Sequence, residues 1–332
     1  MLFDPNWMPD QSEGLRAGRI SLRGLPTCRT VVDVIGRMHH RNPYADRISV
    51  LRYLTVIMLD SAALAPRLDF ATAIAREAGR RLSTLRECGR WAEPKMLGDV
   101  GDQAADGYLQ GAIFGRYPND AVLSEETKDD LERTKNRIAW IVDPLDGTKE
   151  YASGRHDWAV HVGLAVDQKP VLGVVALPSI DRVMVATDAS DVGAKAELLG
   201  DGGEWPTAFT PDSGSLGDAP LRLVASRSHT PEWMQEFALG LGNAELVPCG
   251  SVGFKVSMLL FGKADVYVHK IGLKEWDTCA PEAIARAAGY TVCRFDGRDH
   301  RYNQENARND ELVVCRPWLK DRVLEVLQSV GA

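Results

Sequence analysis

Four stretches of this sequence place carboxylates where an apolar run closes or a helix is due to begin. They are Glu125-Glu126 ending "AVLSEE", Asp143 and Asp146 in "IAWIVDPLDGT", Asp277 in "EWDTCAPEA" and Asp102 in "LGDVGDQAAD". The second is the most informative. Its apolar run reads as a buried strand, and a negative charge at the end of such a strand is costly unless a cation offsets it. Pro144 fixes φ and removes a backbone donor, so an ordinary strand is not expected to run on through it. Asp143 and Asp146 can then point into one pocket, with the Leu145 carbonyl as a neutral oxygen beside them. Gly147 and Thr148 follow, where a turn or helix start exposes N–H groups and a hydroxyl suited to a phosphate. Oxygen ligands beside a phosphate cradle suit Mg²⁺. Read singly, each stretch has a plainer account. D-x-x-D can be a solvated turn, and Glu125-Glu126 a charged strand end. Asp277 can be the N-cap of a helix with Pro281 in its first turn and its end at Gly289.

These groups lie far apart along the chain, so the elements between them must bring them together. Apolar spacing predicts helices over 69–87 and 101–117, with Pro118-Asn119 closing the second. "AVLSEE" and "RIAWIVD" read as short strands, and 158–188 as a meander of antiparallel strands. The stretch 187–220, rich in Gly, Asp, Ser and Pro, reads as surface loops near a domain boundary. Beyond it strands and helices alternate, from "LRLVAS" to "WLKDRVLEVLQSV", which predicts an α/β layer. The expected division is an N-terminal extension over 1–64, an antiparallel-sheet α+β domain over 65–218 and an α/β domain over 219–332. The extension is arginine-rich, and the first lysine of the chain is Lys95. It reads either as a segment packed on the main body or as translated upstream sequence before a start such as Met58.

The chain has 332 residues, 45% of them hydrophobic and 26% charged, with a formal net charge of −7. That composition predicts an ordinary globular protein of about two domains. The acidic balance argues against a general nucleic-acid binder but not against a local anion site. The six cysteines form no C-x-x-C pair, so neither a disulfide framework nor a zinc site is expected, and a reducing cytoplasm fits. No apolar run reaches the roughly 18 residues of a membrane span, and the amino end does not read as a secretory signal.

"LSEE", "WIVDPLDGT" and "EWDTCAPEA", in this order and separation, resemble the inositol monophosphatase superfamily of Mg²⁺-dependent, lithium-sensitive phosphatases, from about residue 66 to the end. Within it the chain is most similar to the 3′(2′),5′-bisphosphate nucleotidases, through "NDAVLSEETKDDL", "ASRSH" and the late "RYNQ". The resemblance implies a layered α-β-α-β-α sandwich, an antiparallel-sheet domain followed by an α/β domain with the site between them. It implies two or three Mg²⁺ ions held by Glu125, Asp143, Asp146, Asp277 and the Leu145 carbonyl. Gly147 and Thr148 would meet the phosphate, and Thr148, Glu125 and Asp102 would serve an attacking water. Asp99 stands where many relatives carry threonine.

The implied reaction releases the 3′-phosphate of 3′-phosphoadenosine 5′-phosphate, a by-product of sulfate assimilation, by in-line attack of water without a covalent intermediate. The 5′-phosphosulfate is a further candidate substrate. Ser226, Arg227, Ser228 and His229 in "SRSHTPE" would touch the nucleotide, and Ser251 and Lys255 in "GSVGFK" would meet its 5′-phosphate, Lys255 as a point charge. Val268-His269-Lys270 replaces an arginine that some relatives carry. The partner expected is a small phosphorylated nucleotide or sugar, with neither nucleic acid nor membrane, and a homodimer is allowed. Three rival readings stand beside this one. An inositol monophosphatase or a fructose-1,6-bisphosphatase would use the same catalytic residues. A haloacid-dehalogenase-type phosphatase would need its aspartates two apart, whereas Asp143 and Asp146 are three apart. A non-catalytic nucleotide or metal sensor would keep the ligands without turnover.

Overall fold

The computed structural model describes residues 59–332 except 190, 202, 211–213, 215–218, 228–229 and 332; the extension expected before residue 59 lies outside the described residues. The three-to-four apolar spacing gives helix α1, Ser61–Glu87, which buries Leu64, Ala71, Ile74, Ala78 and Leu82. Asp60 caps its start by accepting the Ala63 N–H at 2.9 Å. Residues 61–64, assigned by sequence to the extension, are therefore part of this helix. Helix α2 runs Pro94–Arg116 with proline at its first position, where a missing N–H costs nothing. It starts earlier than the spacing predicted and carries both Asp99 and Asp102.

Next comes a six-stranded sheet in the order β1-β2-β3-β4-β5-β6: β1 Ala121–Ser124, β2 Ile138–Asp146, β3 Ala159–Val166, β4 Lys169–Leu177, β5 Arg182–Ala189 and β6 Gly193–Leu199. β1 and β2 are parallel and the later pairs antiparallel, of which β3-β4-β5 is the meander read from the sequence. The second sheet is mixed, in the order β10-β11-β9-β7-β8: β7 Arg222–Ser226, β8 Glu245–Cys249, β9 Val266–His269, β10 Thr291–Cys293 and β11 Leu312–Cys315. Its helices are α4 Trp233–Gly240, α5 Val252–Leu260, α6 Glu275–Ala287 and α7 Lys320–Ser329, while α3, Thr148–Ala152, follows β2.

Alternation along the strands sorts the core into layers. Trp140, Val142, Val160, Val162, Leu172 and Val174 face α1 and α2. Val175, Leu177 and Met184, from the opposite face of that sheet, share a second core with Phe254, Val256, Ala280 and Ile284 of α5 and α6, and with Val224, Tyr267 and Val314 of the second sheet. The far face of the second sheet, through Leu223, Val268 and Val313, packs on Phe237 and Val323 of α4 and α7. The order is α-β-α-β-α, the fold class that the resemblance implied. Residues 59–332 form one unit, and the chain passes from one sheet to the other between Leu199 and Arg222.

Three local expectations fail. β6 lies inside the stretch read as loops; it is an edge strand with mostly exposed side chains, so no alternation of burial marked it in the sequence. β2 does not stop at Asp143 but continues to Asp146, with its register against β3 shifting between the two aspartates. Pro144 falls within that bulge, where the missing N–H leaves no ladder bond broken. α6 begins at Glu275, so Pro281 lies inside the helix rather than in its first turn. Asp277 is thus a first-turn residue whose carboxylate accepts the Lys274 N–H at 2.6 Å, not the cap itself.

α6 crosses the first sheet closely. A side chain on Gly163 would lie 2.7 Å from Cys279 Sγ, and one on Gly173 would collide with the Ala280 carbonyl. Glycine at these two positions lets the helix backbone approach the strands.

Candidate metal centre

The bulge in β2 has a chemical consequence. The Leu145 N–H donates to Asp143 Oδ1 at 3.1 Å, and the local turn brings Asp143 and Asp146 to the same side of the strand. Across the gap α6 supplies Asp277. One carboxylate oxygen from each of Asp143, Asp146 and Asp277 lies within 4.8 Å of the others. Glu125 follows β1, its N–H 3.4 Å from the Val142 carbonyl, and stands outside that trio at the rim.

The electrostatics are those of a cluster short of positive charge. Asp143 is 1% exposed. Burial, then the charges of Glu125, Asp146 and Asp277, drives its pKa well above the ordinary carboxylate range. Burial first, then Asp146, pushes Asp277 up to about 7 against the opposing Lys274 N–H. Glu125 is exposed overall, yet loss of water around its carboxyl, followed by Asp277, Glu126, Asp102 and Asp146, pushes it up to about 8. Asp146 goes the other way. Burial alone would raise it, but the His161 ring, the Ser251 hydroxyl and the Gly253 N–H together outweigh burial and hold it low. His161 Nε2 lies 3.0 Å from Asp146 Oδ2, and the Gly253 N–H donates to that same oxygen at 2.8 Å.

These residues fit a hard divalent cation. Asp143 Oδ2 is buried without a hydrogen-bond partner among the described residues, an unsatisfied acceptor that a cation would satisfy. Among the described residues, no lysine or arginine pairs with Asp143, Asp146 or Asp277.

Beside the trio stands the Thr148 side chain. Its hydroxyl is 3.1 Å from the Leu145 carbonyl and 3.3 Å from Asp102 Oδ1. Asp102 is half-buried on α2; burial, then Glu126, pushes it up to about 7, with the Thr148 hydroxyl opposing. Asp99, which left the partner of Asp102 open in the sequence, faces outward and pairs with Lys95 at 2.6 Å. Gly147 is left-handed, with φ of 90°. A side chain there would come within 3.0 Å of Ser251 Cβ and 3.3 Å of the Asp157 carbonyl.

The residues expected to meet the nucleotide are less uniform. Ser251 is buried and caps α5, its hydroxyl accepting the Phe254 N–H at 2.9 Å, and it also serves Asp146. Lys255, one turn on, is 4% exposed, with Nζ 5.4 Å from the centre of the Tyr267 ring. Ser226 ends β7 opposite Cys249. Arg227 pairs with the buried Asp157 at 2.6 Å and lies 3.6 Å from Glu150, so its guanidinium is already engaged. Ser228 and His229 lie outside the described residues. Lys270 points away, donating to the Gly331 carbonyl at 3.1 Å.

Sequence reasoning missed His161 and Asp157. His161 had a signal: it is the lone ionisable residue in the middle of an apolar strand, paired with Asp143 in the β2–β3 ladder. Asp157 had none, since it precedes β3 in a short loop. "RYNQ" was noticed only as a likeness; its side chains and backbone hold Glu275 and Glu282 on α6.

Comparison with known proteins agrees with this layout. The profile of the inositol monophosphatase family matches residues 66–331. The 3′-phosphoadenosine 5′-phosphate phosphatase of Mycobacterium leprae is 36% identical over 276 residues, covering 82% of this chain and 95% of that protein. The 3′(2′),5′-bisphosphate nucleotidase CysQ of Salmonella typhimurium is 32% identical over 207 residues, covering 60% of this chain and 77% of that one. The crystal structure of CysQ from Bacteroides thetaiotaomicron, a bacterial member of the inositol monophosphatase family, superposes with a TM-score of 0.64 at 28% identity over 76% of this chain and 97% of its own. An inositol monophosphatase from Anabaena, at 22% identity and a TM-score of 0.62, shares the fold. The layers, the acidic cluster and a family profile spanning most of the sequence lead to one conclusion: this chain belongs to the inositol monophosphatase family.

Proposed function

We propose that this phosphatase hydrolyses the 3′-phosphate of 3′-phosphoadenosine 5′-phosphate, giving AMP and phosphate, with Mg²⁺ held by Glu125, Asp143, Asp146, Asp277 and the Leu145 carbonyl. The observation that carries the metal-dependent chemistry is the converging trio of Asp143, Asp146 and Asp277, with the unpartnered Asp143 Oδ2 inside it. The relatives named above support the choice of nucleotide.

When bound, Mg²⁺ supplies Lewis-acid polarisation of the phosphoryl group and makes a coordinated water a better nucleophile. The residues of the chain do the rest. The Thr148 hydroxyl orients the attacking water and relays a proton from it to Asp102, whose Oδ1 lies 3.3 Å away. Attack on phosphorus is in line with the 3′-oxygen, whose bond to phosphorus breaks as the new P–O bond forms; the leaving oxygen takes up a proton. His161 keeps Asp146 ionised throughout. Gly147, in its left-handed turn, lets Ser251 and the Asp157 carbonyl pack close behind it, and Lys255 supplies the point charge for the 5′-phosphate.

A phosphate-release panel in Mg²⁺, repeated with lithium, tests the reading. The bisphosphorylated nucleotide, with or without its 5′-sulfate, is expected to lead inositol phosphate and fructose 1,6-bisphosphate, and lithium to inhibit. A preference for either sugar phosphate would overturn the choice of substrate and leave the metal centre standing.

A further inference from the structure

Glu125 and Asp277 reach the centre from separate places, the connection 125–137 after β1 and the first turn of α6. A buried network joins these two places without touching the trio. Arg133, in a 3-10 turn over Glu132–Lys135, is 4% exposed. Its Nη1 donates to Asn303 Oδ1 at 3.0 Å and its Nη2 to the Gln304 carbonyl at 2.8 Å. Its Nε and Nη2 also bind Asp129 within the same connection, at 3.0 and 2.6 Å. Asn303 returns the contact, its Nδ2 donating to the Arg133 and Asn136 carbonyls at 3.1 and 2.9 Å.

The same turn grips α6. Glu275, the first residue of that helix, has no exposed surface. Its carboxylate accepts the N–H groups of Asn303 and Gln304. Asn303 holds a left-handed φ of 57°, which aims its N–H at Glu275 while its side chain faces the 125–137 connection. Water cannot replace these bonds at such burial, so each partner depends on the others.

We propose that Arg133, Asn303 and Glu275 are positioning residues that lock the Glu125-bearing connection against the start of the Asp277-bearing helix and so set the metal affinity of the centre. This rests on the ligand assignment above. A ligand's orientation depends on the groups that hold it, and loss of such a group weakens metal binding by about ten- to a hundredfold.

The test reads metal binding directly, by Mn²⁺ titration of the full chain followed by electron paramagnetic resonance, without substrate. Asn303→Gly accepts the left-handed backbone and removes only the side-chain bonds. Glu275→Gln keeps the volume but cannot accept both N–H groups equally well. Both are expected to weaken Mn²⁺ binding by about threefold to tenfold, the low end for groups one step removed from the ligands. Phe237→Leu, in the core beyond the second sheet, serves as the control for general destabilisation and is expected to leave Mn²⁺ binding at the wild-type value. Should either variant fail to fold, Arg133→Lys replaces it, keeping the charge and losing the forked contacts. Wild-type affinity in the folded variants, or equal weakening in Phe237→Leu, overturns the positioning role. Absence of Mn²⁺ binding in the wild-type protein would instead overturn the ligand assignment, and with it this inference.

Discussion

Helix α6 carries three acids, Glu275, Asp277 and Glu282, and the last two have opposite fates. Asp277, in the first turn, is pushed up to about 7 by burial and then by Asp146. Glu282, further along, is the more enclosed of the two at 2% exposed, yet its pKa falls below the ordinary value. Burial pushes it up, but the His300 hydrogen bond and charge, then Arg286 and the Tyr302 hydroxyl, outweigh it. The distances show why. Glu282 lies 2.7 Å from His300 Nδ1, 2.8 Å from Arg286 Nε and 2.7 Å from the Tyr302 hydroxyl, whereas Asp277 faces other carboxylates. One acid is satisfied by the fold; the other is left for something that arrives later. Burial alone does not mark a functional carboxylate, but burial without a partner does.

The largest expected effect comes from removing a charge on the unsatisfied side. Asp143→Asn keeps the volume and should raise the activation barrier by about 4 kcal/mol, lowering kcat on the order of a thousandfold, with the circular-dichroism spectrum unchanged. Steady-state kinetics beside that spectrum check it, and full activity in the variant would refute the assignment. On the satisfied side, Glu282→Ala removes the carboxylate partner of the buried His300 ring, while Arg286 keeps Asp299 and the Val292 carbonyl, and should cost about 3 kcal/mol of stability, read by urea denaturation. Indifference to that change would erase the contrast.

Lys255→Ala should raise KM for the bisphosphorylated nucleotide by about tenfold or more, the cost of losing one charged contact, and affect a monophosphate substrate less. Equal effects on both would show that Lys255 never meets the distal phosphate. The smallest effect is thermal. Asp143, Asp277 and Glu125 all have folded pKa values above their unfolded ones, so in the metal-free protein they add stability that is whole below about pH 4; the shares of Asp277 and Glu125 are lost as pH rises from there through about 7 and about 8. The metal-free Tm should fall between about pH 4 and about pH 8, by about the 2–4 °C that one kcal/mol produces in a large domain. Saturating Mg²⁺ should remove the fall, since binding also displaces the protons. A flat metal-free profile would contradict the crowding described here.

How much of this was legible beforehand follows from where the signals sit. "DPLDGT" announced its acids because a buried strand, a proline and a glycine surround them, and the meander announced itself by apolar runs joined by tight turns. The edge strand 193–199 did not, because its side chains are mostly exposed and carry no period. The true start of α6 was hidden because the partners that bury Glu275, Asn303 and Gln304, lie far along the chain. His161 was overlooked for a similar reason: a histidine within an apolar strand acquires meaning only once the ladder sets it beside Asp143. Gly253 shows the same dependence, since a side chain there would collide with the His161 ring.

The close approach at Gly163 and Gly173 has one more consequence. Where α6 meets β4, the gap is gauged by the Gly173 main chain against the Ala280 carbonyl; where it meets β3, by Gly163 against the Cys279 side chain and the Ala280 N–H. A single methyl added at Gly173 would act as a shim, lifting the helix and carrying Asp277 away from its neighbours.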